Sequence, residues 1–133
     1  MDIHKTYQIA ATPSEVWRAL TETDSVERWG AGPAKMSADP GSPFSQWGGD
    51  IWGTVVEAEP PRRLVQEWYG GDWPQPSFAT FTLTVEGSGT RVDLSHAGVP
   101  DDEAAAFDAG WDDYYFGPMK EMLETGARPL THA

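Results

Sequence analysis

From Asp101 to about Thr125 the apolar residues Phe107, Trp111, Tyr115, Met119, Met122 and Leu123 recur at three- and four-residue spacing, which predicts one long helix with a single apolar stripe. Such a stripe must be buried. No other element is long enough to do the covering, so this helix is expected to lie across the concave face of a sheet built from the rest of the chain. Asp101, Asp102 and Glu103 supply a charged helix start, because carboxylates favour the partly positive N-terminus, and Gly126 is the expected stop. Pro118 inside the pattern removes the backbone bond to Tyr114, so a kink is expected near Gly117-Pro118.

The remaining sequence supplies the sheet. Ile3 to Ala10 alternates as a strand, and Thr12, Pro13 and Glu15 form a capping signature that starts a helix running to about Leu20. Asp24 and Glu27 suggest a second box, with Gly30 ending a short helix that presents Val26 and Trp29. Gly- and Pro-rich turns then separate segments of strand length: Lys35 to Ala38, Phe44 to Trp47, Ile51 to Glu59, Leu64 to Tyr69, Ser77 to Glu86 and Thr90 to Ala97. Short turns make consecutive strands antiparallel neighbours. The expectation is an α+β fold: a curved antiparallel sheet of about seven strands, two short helices after the first strand, and one long C-terminal helix, in one domain over residues 1–133.

Charge and cysteine content narrow the function. Nine Lys and Arg against 21 Asp and Glu leave a net charge of −12, which repels phosphate backbones, so nucleic acid is not an expected partner. No cysteine is present, which removes thiol catalysis, disulfides and thiolate metal sites and fits a reducing compartment. His4, His96 and His132 lack the close spacing of metal pairs, so neither a metal nor another cofactor is expected. No stretch has the apolar length of a membrane span, and the expected location is cytoplasmic, as a monomer or homodimer.

Several motifs together resemble the Hsp90 ATPase activator homologue family, within the START-like or polyketide-cyclase-like superfamily of helix-grip folds. They are the run Ala11-Thr12-Pro13-Ser14-Glu15-Val16-Trp17-Arg18-Ala19-Leu20-Thr21, Trp29, the segment Gly53 to Val65 with Pro60-Pro61-Arg62-Arg63, Gly89-Thr90-Arg91-Val92, Leu94-Ser95-His96, and Gly110-Trp111. The resemblance covers Ile9 to about Glu124 and implies the helix-grip fold. That scaffold hosts lipid and hormone carriers, cyclases, hydrolases and chaperone-associated domains, so it does not choose an activity.

Seven tryptophans are spread over nearly every element, which calls for one aromatic interior that is either a solid core or a pocket. Trp29, Trp68, Phe81, Leu83, Trp111, Tyr115 and Met119 are the expected apolar lining of such a pocket. Gln66 and His96, inward by strand alternation, join Tyr115 as its polar handles. Trp47, Trp52 and Trp73 flank Gly-rich turns, at a cavity mouth or on an exposed patch. The leading expectation is non-catalytic binding of a small apolar or aromatic ligand between sheet and helix. The rivals are a chaperone-associated interaction domain, as the resemblance implies, and a cyclase-like or hydrolytic enzyme, for which His96 is the one candidate base.

Overall fold

The computed structural model describes residues 2–71 and 73–125. Strand β1 (Ile3–Ile9) leads into helices α1 (Pro13–Thr21) and α2 (Thr23–Trp29), followed by β2 (Pro43–Gln46), β3 (Ile51–Glu59), β4 (Arg63–Gly70), β5 (Ser77–Glu86) and β6 (Gly89–Ala97). The C-terminal helix opens with a 3-10 turn at Asp101–Glu103 and continues through α3 (Ala104–Gly110), a π-helical segment (Trp111–Phe116) and α4 (Gly117–Thr125). Gly126 and His132 lie outside the described residues. No helix among the described residues is long and apolar enough to cross a membrane.

All strand pairs are antiparallel, in the order β1-β6-β5-β4-β3-β2. The sheet has six strands where the sequence suggested about seven, because Lys35 to Ala38 contributes only an isolated bridge between Lys35 and Ser45. The reason lies in its backbone partners. Ala34 N donates to Glu27 Oε2 at 3.0 Å and Met36 N to Thr23 Oγ1 at 2.9 Å, so the segment is tied to side chains of α2 and cannot run a ladder. Glu27 is thereby withdrawn from the expected second capping box: α2 starts after Glu22 with no side-chain cap. The first box forms as expected, with Glu15 N donating to Thr12 Oγ1 and Thr12 N to Glu15 Oε1.

One face of the sheet is covered by the helices. Its inward residues include Val55, Gln66, Ala79, His96 and Ile3, which lie in one cross-strand row, with Leu64, Phe81 and Leu94 in another. Trp111, Tyr115 and Met119 are 2%, 1% and 0% exposed, so the helical stripe is buried as its spacing requires. Val16, Leu20, Val26 and Trp29 from the short helices close the same core.

The C-terminal helix answers its proline by widening ahead of it. An α-helical Pro118 would crowd the carbonyl four residues back, whereas the π-helical stretch shifts bonding to five residues, with Gly117 N donating to Asp112 O. The extra residue in this turn lets Trp111, Tyr115 and Phe116 all be buried. Asp112 fixes the outer side of the same turn, accepting from Tyr7 at 2.7 Å and from Lys5 at 2.9 Å on β1. These two bonds hold the Asp112 carboxyl below the usual carboxylate range.

Two glycines in this helix should therefore respond oppositely to alanine. A Cβ at Gly117 would lie 2.4 Å from Asp112 O, while a Cβ at Gly110 would meet only the Tyr114 ring at 3.9 Å. Urea denaturation is expected to show Gly117→Ala destabilised by roughly 1–3 kcal/mol and Gly110→Ala stabilised by up to ~1 kcal/mol through helix propensity. A Gly117→Ala protein at least as stable as the natural chain would contradict the widened turn.

Candidate functional site

Beside the N-terminal half of the C-terminal helix a cleft of about 360 Å³ opens between helix and sheet. The sheet contributes Ile51 and Trp68, the turn after β2 contributes Trp47 and Asp50, and the helix contributes Ala106, Phe107, Gly110, Trp111, Tyr114 and Tyr115. Its size falls at the lower end of the roughly 300–1,000 Å³ of small-molecule sites. Two helical rows make the shape: Phe107, Trp111 and Tyr115 provide rings, while Ala106 and Gly110, preceding Tyr114 at four-residue spacing, leave the room.

Three of the expected site residues, Trp68, Trp111 and Tyr115, line this cleft. Trp68 and Trp111 stack with centroids 4.9 Å apart and planes 27° from parallel. Gln66 and His96 are wholly buried and hold these two rings, since Trp68 Nε1 donates to Gln66 Oε1 at 2.8 Å and Trp111 Nε1 to His96 Nδ1 at 3.1 Å. Phe81 packs against both Trp111 and Tyr115, at 5.8 and 6.0 Å. Trp29 lies 4.7 Å from Tyr115 and donates its own indole N–H to Ala19 O. Leu83 and Met119 are buried in the core away from the cleft lining. Among the flanking tryptophans, Trp47 reaches the cleft. Trp73 packs on Phe107 and donates to Glu103 Oε2, and Trp52 stays 42% exposed, stacked on Tyr69. Ala106 and Gly110 escaped the sequence reading, although small residues at four-residue spacing beside an aromatic stripe are the signal that would have found them.

The hydrogen-bond pattern fixes the state of His96. An indole nitrogen only donates, so Nδ1 accepts and the proton sits on Nε2, which donates to Ser77 Oγ at 2.8 Å; Ser77 passes its own proton to Trp68 O at 3.1 Å. Burial pushes the imidazole pKa down to about 4. A neutral ring with both nitrogens engaged is a fastener between β5, β6 and the helix. Among the described residues no group of three or more His, Cys, Asp or Glu is arranged to hold a metal.

Not every buried polar atom nearby is matched. Gln46 Oε1 and Nε2, Gln66 Nε2 and the Tyr115 hydroxyl make no hydrogen bond, and each such atom costs roughly 1–3 kcal/mol. The Gln46 amide stands close enough to the Tyr115 hydroxyl to favour its ionisation slightly, yet outside bonding geometry; burial dominates and keeps that phenol protonated well above its usual range.

The state of His96 makes stability depend on pH. Between the ordinary value of 6.5 and the folded value of about 4 the unfolded chain binds the proton that the folded one refuses, so stability rises with pH through this window. Its His96 contribution is complete above pH 6.5 and is lost as pH falls toward 4, a span worth roughly 3 kcal/mol at about 1.4 kcal/mol per unit. Stability curves of the natural chain and of His96→Gln should therefore converge as pH falls across this window. Parallel curves would show that His96 does not enter the fold neutral.

Residues 10–124 match the family model "Activator of Hsp90 ATPase homolog 1-like protein". The human activator of 90 kDa heat shock protein ATPase homolog 1 is 32% identical over 119 residues, covering 88% of this chain and 35% of the human protein. The chain thus spans about a third of the length of that relative. Among solved structures, an HSP90 activator from Plasmodium falciparum superposes with a TM-score of 0.86 at 22% identity over 92% of this chain and 96% of that one, a likeness of fold. DynU16, a protein of the dynemicin biosynthetic locus, superposes at 0.82 with 28% identity, over 96% of this chain and 48% of its own. On the extent of the family match and the identity to the human relative, this chain belongs to the Activator of Hsp90 ATPase homolog 1-like family.

Proposed function

We propose that this protein binds a small, flat apolar or aromatic molecule in the cleft between the sheet and the C-terminal helix, without turning it over. The observation that carries this reading is the cleft itself: an aromatic-walled space whose volume depends on Ala106 and Gly110. Binding would draw on burial at about 25 cal/mol per Å² of apolar surface. The occurrence of a structural relative in the dynemicin biosynthetic locus is consistent with a small-molecule role for this scaffold. Catalysis is disfavoured because His96, the one candidate base, is held neutral with both nitrogens bonded.

A second reading, association with an Hsp90-type chaperone, is favoured by family membership and by a specific surface. Trp52 and Tyr69 stack 4.2 Å apart on the outer face of β3 and β4, with Trp52 partly in solvent. A flat aromatic pair in water is an uncommon use of apolar area and suits a protein contact.

One variant separates the two. Gly110→Leu places a side chain into the cleft from a helical position with room for its Cβ. Titration with the uncharged fluorescent probe N-phenyl-1-naphthylamine should show saturable binding to the natural chain and at least tenfold weaker binding to Gly110→Leu. Equal affinity for both would remove the cleft from the reading. Stimulation of an Hsp90 ATPase that Trp52→Ala abolishes and Gly110→Leu leaves intact would instead establish the chaperone role.

A further inference from the structure

Asp50 is the one charged residue on the cleft wall, and no cation of the fold neutralises it. It is solvent-exposed, and among the described residues its carboxylate takes part in no ion pair. Its backbone is fixed through both polar groups: Asp50 N donates to Trp47 O and Asp50 O accepts from Gly71 N, each at 3.2 Å. The turn therefore carries the residue at a set place ahead of β3. Aromatic side chains make up most of the remaining wall, from Trp47, Trp68, Phe107, Trp111, Tyr114 and Tyr115. Tyr114, 69% exposed, shares the open side of the cleft with Asp50, whereas Trp68, Trp111 and Tyr115 form its buried side.

The electrostatics of such a wall have one sign. An aromatic face carries the negative side of the ring quadrupole, so a cation within about 6 Å of the ring centroid is attracted to it, and a carboxylate alongside adds to the pull. An anion meets the opposite field. The wall offers it no Lys, Arg or His, and Trp68 and Trp111 direct their indole N–H groups to Gln66 and His96. The chain's net charge of −12 repels it at longer range. Among cations, a quaternary ammonium suits these walls best. A primary ammonium would bring three N–H donors to a surface that is mostly carbon, whereas methyl groups spread the charge, leave no donor unmatched and keep apolar contact with the rings. About 360 Å³ of space, with only Ala106 and Gly110 on one helical row, leaves room for an aromatic ring behind the charge.

We infer that the ligand of this cleft is a small organic cation of the aromatic quaternary ammonium class, its ring against the buried walls and its charge on the open side beside Asp50 and Tyr114. This rests on the cleft being a binding site, and the test keeps the two apart. Displacement of N-phenyl-1-naphthylamine from the full chain, at neutral pH and low salt, is read with three competitors: phenyltrimethylammonium, its uncharged carbon isostere tert-butylbenzene, and benzenesulfonate. The cation is expected to compete at least as well as the hydrocarbon, although water holds it far more strongly, and at least tenfold better than the sulfonate. Asp50→Asn removes the charge and Tyr114→Leu removes a ring face while keeping an apolar side chain, both at exposed positions. Each should weaken the cation about two- to fivefold and leave the hydrocarbon nearly unchanged. The hydrocarbon outcompeting the cation on the natural chain, or a cation-to-hydrocarbon ratio unchanged in both variants, would overturn the cation class while leaving the cleft a binding site. No binding of the fluorescent probe, and none of the three competitors by calorimetry, would overturn both.

Discussion

The hydrogen bond from Trp111 to His96 is the contact on which the arrangement of the molecule turns. It joins the centre of the C-terminal helix to the last strand inside a wholly buried environment, where a lost partner is costly and a misplaced charge more so. Through Ser77 the same histidine reaches the main chain of β4, so one imidazole ties three sheet strands to the helix. The rings around it stack or meet edge-on, and truncating a tryptophan in such surroundings removes roughly 3–5 kcal/mol, a large share of the stability of a domain this size.

Around that fastening the helix is shaped by two demands that pull apart. Pro118 forbids a regular turn, while the core needs three large rings inward within six residues. The π-helical stretch meets both, with Gly117 admitting the carbonyl of Asp112 and with Asp112 anchored outside by Lys5 and Tyr7. Widening at this point also determines which rings face the cleft. A substitution at Gly117, remote from any ligand, would thus alter the walls of the site as well as the stability of the helix.

Much of this was legible in the sequence because it is written in short-range patterns. The Thr12–Glu15 box, the strand phases that turn Gln66 and His96 inward, and the spacing of Trp111, Tyr115 and Met119 each depend on residues within a few positions of one another. The misreadings have a common physical origin in long-range competition. Lys35 to Ala38 has strand-like composition, but Thr23 and Glu27 take the backbone donors beside it. Strand alternation says that Gln66 and His96 point inward, yet not that two indoles will occupy their polar atoms. The cleft depends on where side chains are small, and apolar periodicity gives little weight to Ala106 and Gly110.

The pairing of β1 with β6 carries a consequence for how the chain is made. Ile9 pairs with Thr90 and Ile3 with His96, so the first strand of this sheet to be synthesised waits for the last before it has any ladder partner. The intervening hairpins can form as they emerge, since β3 to β6 pair in chain order. Closing the sheet must bring together the ends of the whole segment from Ile9 to Thr90, and the helix that shields its inner face is synthesised later still. At roughly 5–20 residues per second during synthesis, the apolar inner face stands open for seconds until that helix follows β6. For a nascent chain of this design, the vulnerable interval falls before the C-terminal helix arrives, and shielding of that face during synthesis would matter more than any assistance afterwards.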